Sequence, residues 1–546
     1  MLRLPISLDR FWRHKQFVIV LAAVTLLSAP LRLYGLSTQP AGLFGDEAAD
    51  GLNALQIITG DRPVFLTENN GREPLHAYLV ALSISLFGRT PAAIRFPSAL
   101  ASCATIIGIY LFTNTIHNKR IALLASLIAG FTVWPIMLGR LATRPALLPL
   151  LLTYGLWLGM KAWSTGAPRH WISSGILFGL AFYSYTPIRL IIFTLPLWAV
   201  ILAICGKARR LWPGASLFMA AFAVVVFPLA KYSITHWEVV FARIGGLFIL
   251  SPDNNLVQLA IILWHQITTV IPMFVVPGHG DWNLRHNIPT RPAFDQIMSI
   301  AFLSGLLISL KSKRRMQTSL LLVWLTISLL PTILSEEAPH FARASGALAV
   351  LMIWPAIGID WLFQRVAAYT HRLLALVLIG ALMMSSIWIT ARDFFFHQYL
   401  GEPNTGFWFD EQCTEAAIEI NRFLQSGWRG YGWYASKPDP MQNRLVLIAA
   451  NVCPRYSSSG YYTIQFLVPS VLGSAEHFQR YDLAAMPYIG SLPREILFLV
   501  IPGDEEQIIP WLASLYTVSV HDGPWTPPDL LGNSWLVYRT IFASLQ

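Results

Sequence analysis

The sequence predicts a polytopic α-helical membrane protein of about 11–13 transmembrane helices with a C-terminal external α/β domain. Three observations predict it. The 546 residues are 55% hydrophobic and only 12% charged, with a mean hydropathy of +0.52. Apolar runs near the roughly 20 residues that a crossing helix needs recur along the first 390 positions. Beyond residue 390 charged residues, Pro and Gly become frequent and short β-like runs replace the apolar segments.

The elements follow in order. The basic start MLRLPISLDRFWRHKQF precedes an apolar run with no small-residue cleavage site, which predicts an uncleaved first span and a cytoplasmic N-terminus. Span candidates lie at 17–36, 92–114, 120–138, 146–163, 171–187, 188–205, 212–231, 294–310, 318–335, 343–362 and 372–390. Segments 75–88 and 256–277 are apolar but ambiguous: lying on the outer surface as interfacial helices they give eleven spans, and crossing together they give thirteen. With eleven spans the clusters HNKR, APRH, GKARR and KSKRR and the 365–372 loop all fall on the cytoplasmic side, as the positive-inside rule requires, whereas a crossing 75–88 segment would move HNKR outside. The formal charge of +10 is thereby a topology signal, not the footprint of a nucleic-acid partner. Either count leaves the C-terminus outside. The expected location is the plasma (inner) membrane.

The two expected domains are residues 1–390, the membrane core, and 391–546, the external α/β domain. In the latter, strands are expected at 444–450, 461–467, 495–501, 516–521 and 534–541, and helices at 410–426, 474–485 and 504–514. Its two cysteines, Cys413 and Cys453, would face an oxidising compartment, where bridged and free states are both open.

This threading gathers the unusual polar residues on the outer face. GDEAADGL places Asp46, Glu47 and Asp50 just after the first span. Acids at a helix start serve either as caps to its N–H groups and dipole or as chemistry. Arg95, Arg140, Arg144 and Arg189 each close the outer end of a span. One such arginine is an interfacial anchor; four on the face that holds the acids also suit phosphate, whose geometry guanidinium matches. The loop GHGDWNLRHNIPTRP supplies His279, Asp281, Arg285 and His286, and SEEAPHFARASG supplies His340 and Arg343. His and carboxylate there admit either a divalent cation or a hydrogen-bonded loop ordered by Asn283, Asn287 and Pro289. No metal ligand is assigned and the pattern requires no cofactor, while a divalent metal stays open. Trp134, Trp282, Tyr183 and Tyr185 suit sugar stacking or interfacial packing.

The order and spacing of GDEAADGLNALQIITGDRPVF, GREPLHAYLVALSISLFGRTPAAIRFPSAL and IALLASLIAGFTVWPIMLGRLATRPALLPLL resemble the GT-C membrane glycosyltransferases of the protein O-mannosyltransferase and aminoarabinose transferase group. The resemblance covers residues 20–390 and is strongest over the first 150. It implies a polyprenyl-phosphate sugar as donor, an acceptor glycan, lipid or protein, and hexosyl or pentosyl transfer at the exoplasmic face, commonly with inversion. It makes Asp46 the general base and Glu47 its neighbour, and matches Arg95 and Arg140 to the arginines that open the next span and follow the third. Some members carry an acid where this chain has Thr143 and Arg144. Aminoarabinose-type members carry Glu-Lys before the first-loop proline, where this chain has Arg72 and Glu73 before Pro74. The resemblance therefore passes the phosphate contact to Arg72 and does not carry a metal site across. Two other classes compete. A transporter or flippase of a lipid-linked glycan needs charge at the bilayer midplane, and the proposed spans are nearly free of it. A binding protein working through its external domain would treat the arginines as anchors. The enzyme reading expects some activity from the core without residues 400–546.

Overall fold

A computed structural model of the protein describes residues 6–68, 71–207, 211–249, 254–397, 405–430, 444–449, 452, 460–472, 478–481, 495–525 and 534–545. The chain divides into two compact units. The first comprises Met1–Tyr34, Pro63–His76 and Ser98–Tyr399, and the second Gly35–Arg62, Ala77–Pro97 and Leu400–Gln546.

Among the described residues, eight helices are long and apolar enough to cross a membrane, or nine if one bent pair forms a single span. The eight are Gln16–Leu33, Pro91–Ile116, Arg144–Thr165, Gly214–Thr235, Leu256–Phe274, Arg315–Ile333, Ser345–Tyr369 and Arg372–Phe394. Leu75–Phe87, Ile188–Ile204 and Gln296–Lys311 are apolar but shorter. Length separates the two ambiguous segments. Leu256–Phe274 reaches 19 residues, whereas the 13 residues of Leu75–Phe87 rise only about 20 Å against a hydrocarbon core of roughly 30 Å. The expected span at 171–187 is also shorter than drawn, because its helix is Pro168–Ala181.

In the first unit, the expected single span at 120–138 is broken. Lys119–Phe131 and Val133–Arg140 meet at 56°, with Thr132 extended between them. Pro135 explains the break: a helix running through it would lose a hydrogen bond and drive the ring into the carbonyl of Phe131. The carbonyls this strands are met by Arg32, a fully buried side chain that donates to Ala129 O at 3.0 Å and Gly130 O at 2.8 Å. A guanidinium thus closes the helix end from another segment. The break also sets where Arg140, the last residue of the second piece, comes to lie. Trp134, Trp324, Trp354, Phe112 and Phe178 fill the core around it.

The second unit carries a five-stranded mixed sheet. Its strands are β1 (Arg444–Ala449), β2 (Phe478–Tyr481), β3 (Glu495–Val500), β4 (Tyr516–Asp522) and β5 (Arg539–Leu545), in the order β2-β1-β3-β5-β4. β1 runs parallel to β2 and β3, while β5 is antiparallel to β3 and β4. The central strands β1 and β3 are buried along nearly their whole length, as parallel strands covered on both faces require. Helices Glu411–Leu424 and Glu505–Ala513 lie where the sequence places them. Two elements differ. The run YYTIQFL, β-like by composition, is helical as Gly460–Leu467 and packs on helix Gly45–Thr59, so tertiary context overrides its strand propensity. The helix expected at 474–485 is strand β2 over its described part. Cys413 is buried in helix Glu411–Leu424; Cys453, the other cysteine of that domain, lies outside the described residues.

Candidate active site

The sequence-predicted residues fall into one cluster in the second unit and two in the first, with Arg140 outside both. The cluster in the second unit is built on helix Gly45–Thr59, which carries Asp46 and Glu47 in its first turn. Glu47 is fully buried. Its carboxylate accepts from Arg95 Nε at 2.9 Å and Nη2 at 2.8 Å, and from the backbone N–H of Phe44 at 3.3 Å. Glu47 is therefore a cap and one half of a bidentate ion pair. Arg95, also fully buried, sends its other hydrogens to the carbonyls of Leu36 and Pro40 at 3.0 Å each and of Gly42 at 2.6 Å. All five guanidinium N–H groups then point at protein acceptors, three of them carbonyls of the loop that leads into the helix and two the carboxylate of Glu47. Asp46 sits beside this anchored turn and is only partly buried. Two adjacent acids, alike in the chain, differ in burial.

In the first unit the centre is Glu73, 1% exposed. Its carboxylate accepts from Arg144 Nη1 at 2.9 Å, from Thr186 Oγ1 at 2.7 Å and from Arg189 Nη2 at 3.4 Å. Arg144 lies over the ring of Tyr185 at 5.9 Å and Arg189 over that of Phe241 at 5.1 Å. One carboxylate thus pairs with two guanidinium groups in a largely buried cluster. Arg72, the preceding residue, is buried and pairs its backbone with Leu66 in both directions. Arg140 stands apart, donating to the carbonyls of Leu31 at 3.0 Å and Tyr34 at 2.9 Å.

The third group joins two loops of the first unit. Asp281, 1% exposed, accepts from the backbone N–H of Phe341 at 2.7 Å and of Asn283 at 2.9 Å. His340 Nδ1 lies 3.9 Å from its carboxylate, and the His286 ring is 4.8 Å from that of His340. Arg343 donates to Ser335 Oγ at 2.8 Å and faces Glu337 at 3.6 Å. Asn287 ties the loop by donating to the carbonyls of Asp281 and Arg291. Arg285 is half-buried, and His279 is exposed and away from this knot. Among the described residues no three His, Cys, Asp or Glu side chains converge closely enough to hold a metal ion. Of the aromatics, Trp134 stacks on Phe341 inside the core at 4.6 Å, Tyr183 donates to the carbonyl of Val225 at 2.9 Å, and Trp282 is exposed.

Burial pushes the Asp281 carboxyl up to about 7, against the downward pull of the Phe341 and Asn283 N–H groups. The folded state then keeps a proton that the unfolded chain has already released, so its contribution to stability is present in acid and is lost as pH rises through about 7. Glu419, pushed up to about 7 by burial and then by Glu415, acts with the same sign. The melting temperature in detergent is expected to fall between about pH 4 and pH 7, and Asp281→Asn to flatten part of that slope. An unaltered slope in the variant would contradict the assignment.

Sequence reasoning missed Thr186 at Glu73 and the pairing of Glu47 with Arg95. No local pattern signals either, since the partners stand 113 and 48 positions apart. Comparison with known proteins supplies the frame. Residues 69–232 match the model of the dolichyl-phosphate-mannose-protein mannosyltransferase family. A comparison with curated proteins finds no match. Among solved structures, ArnT from Cupriavidus metallidurans bound to undecaprenyl phosphate is similar at a TM-score of 0.58 and 12% identity, with 97% of each chain covered. The chain has the GT-C fold.

Two further GT-C structures agree. The Archaeoglobus fulgidus oligosaccharyltransferase complex with zinc and sulfate matches at a TM-score of 0.53 and 15% identity, over 82% of this chain and 61% of that one. Oligosaccharyltransferase AglB from the same organism, in complex with an inhibitory peptide and a dolichol-phosphate, matches at 0.53 and 13%, over 96% and 74%. The chain thus spans about six-tenths of the length of the first of these.

Proposed function

We propose that the protein is a membrane glycosyltransferase that moves a hexosyl or pentosyl unit from a polyprenyl-phosphate carrier to an acceptor at the exoplasmic face. The observation that carries this reading is the split between the two first-turn acids. Glu47 is consumed by Arg95 and the Phe44 N–H, while Asp46 rides on the same fixed turn with its side chain partly exposed. An acceptor hydroxyl is a poor nucleophile near neutral pH, and a positioned carboxylate that takes its proton during attack on the anomeric carbon lowers the barrier. The glycosyl–phosphate bond breaks as the new bond forms, and the electron pair stays on the departing polyprenyl phosphate.

That growing negative charge calls for cations placed in advance. Arg95 gives all its hydrogens to protein acceptors, so in this reading it fixes the loop and does not receive phosphate. The candidates for that role are Arg144 and Arg189, both paired with Glu73, because guanidinium matches phosphate in geometry and stays charged. Solved structures of the same fold support a lipid-phosphate ligand, since two hold undecaprenyl phosphate and dolichol-phosphate. The test is mass spectrometry of lipid that co-purifies with an Asp46→Asn variant. A polyprenyl phosphate bearing a sugar is expected; purification with phospholipid alone would overturn the reading.

A further inference from the structure

The sequence treats the residues after 390 as an appendage to the core. The structure builds the acid-bearing turn and the C-terminal segment into one compact unit. Leu43 is held on both sides: its N–H donates to Thr414 Oγ1 at 2.8 Å and its carbonyl accepts from Thr463 Oγ1 at 2.8 Å. Two residues on, the N–H of Gly45 donates to Asp410 Oδ2 at 2.9 Å. Gly45 opens the helix that carries Asp46, so this N–H has no partner within the helix and Asp410 caps it from a distant segment. Thr414, Thr463 and Asp410 are all buried.

Backbone geometry tightens the same seam. Asp410 has φ +53°, a conformation that non-glycine residues hold only where their surroundings over-determine it. Gly42, at φ +82°, lies against the carbonyl of Phe409, and Gly51 lies against the ring of Phe466, with no room for a side chain at either position. These contacts span residues 42–51 and bracket Asp46.

We infer that Asp410, Thr414 and Thr463 are positioning residues for Asp46, through which the external domain clamps the acid-bearing turn. This rests on the role proposed for Asp46. It reverses the expectation that the core works alone, because removing residues 400–546 takes away every one of these partners. A base displaced by about 1 Å loses roughly 100-fold in rate, and the two threonine hydroxyls hold the backbone at Leu43, three positions from Asp46.

Two measurements on the full-length protein in nanodiscs test it. In hydrogen–deuterium exchange, peptides covering residues 42–51 are expected to exchange faster in Thr414→Val and Thr463→Val and to return to the wild-type rate in Thr414→Ser. Unchanged exchange in both valine variants would overturn the clamp whatever the substrate. In turnover of undecaprenyl-phosphate-linked mannose, glucose and arabinose, kcat in the valine variants is expected to fall roughly 10- to 100-fold with the donor KM unchanged, and serine to restore it. Wild-type kcat in both valine variants beside an inactive Asp46→Asn would overturn the positioning role alone. An active Asp46→Asn would overturn the proposed function instead.

Discussion

Glu73→Ala is expected to lower the stability of the folded protein by about 3–5 kcal/mol, the range for removing one partner of a buried ion pair. The size follows from what is left behind. Arg144 and Arg189 have side chains 8% and 18% exposed, and without the carboxylate both desolvated guanidinium groups lose the acid that pairs with them. The Coulomb gain of such a pair barely exceeds the desolvation cost while both partners are present, so the loss on breaking it is mostly that cost laid bare. Glu73→Gln separates charge from shape. It keeps an acceptor for Thr186 but no charge, and is expected to destabilise nearly as much as alanine. Thermal unfolding in detergent measures both, and a glutamine variant that melts with the wild type would show that the cluster needs only hydrogen bonds.

Asp46→Asn is expected to slow sugar transfer by roughly 10²- to 10⁴-fold, the contribution of a positioned general base. The substitution is nearly isosteric and sits at a partly exposed position, so melting temperature and expression are expected to match the wild type. Glu47→Gln makes the contrast. That residue is fully buried against Arg95, and its loss should appear first as instability. Transfer and melting measured side by side on the two variants separate chemistry from architecture. An Asp46→Asn variant with wild-type transfer, or one that fails only because it unfolds, would remove Asp46 as the base.

Much of the membrane architecture was legible because hydropathy is a local property: seven of the eleven expected spans overlap helices long enough to cross, and the broken pair falls on an eighth. The break at Thr132 was also written locally, in Pro135, but a hydropathy window averages across it. The helix Gly460–Leu467 was not legible, because its aromatic and β-branched residues fit a pleated surface equally well and only packing against helix Gly45–Thr59 decides between them.

At the candidate site, the sequence supplied residue types and the fold supplied their employment. Asp46 and Glu47 are adjacent acids in the chain; which of them Arg95 takes depends on a helix turn and a loop path that spacing does not encode. The same holds for Arg95 and Arg144, alike as outer-end arginines yet bound respectively to backbone carbonyls with Glu47 and to Glu73. Asp410 carried no signal at all, since a capping acid 365 positions from its helix leaves no local trace.

The central claim is that the bond between sugar and lipid phosphate is the one broken. A polyprenyl-phosphate sugar labelled separately in sugar and phosphate, incubated with the protein in nanodiscs and an acceptor extract, tests it most directly. The prediction is that sugar label passes to the acceptor while phosphate label stays with the polyprenyl lipid. Phosphate travelling with the sugar, or an intact donor merely moved across the bilayer, would contradict it.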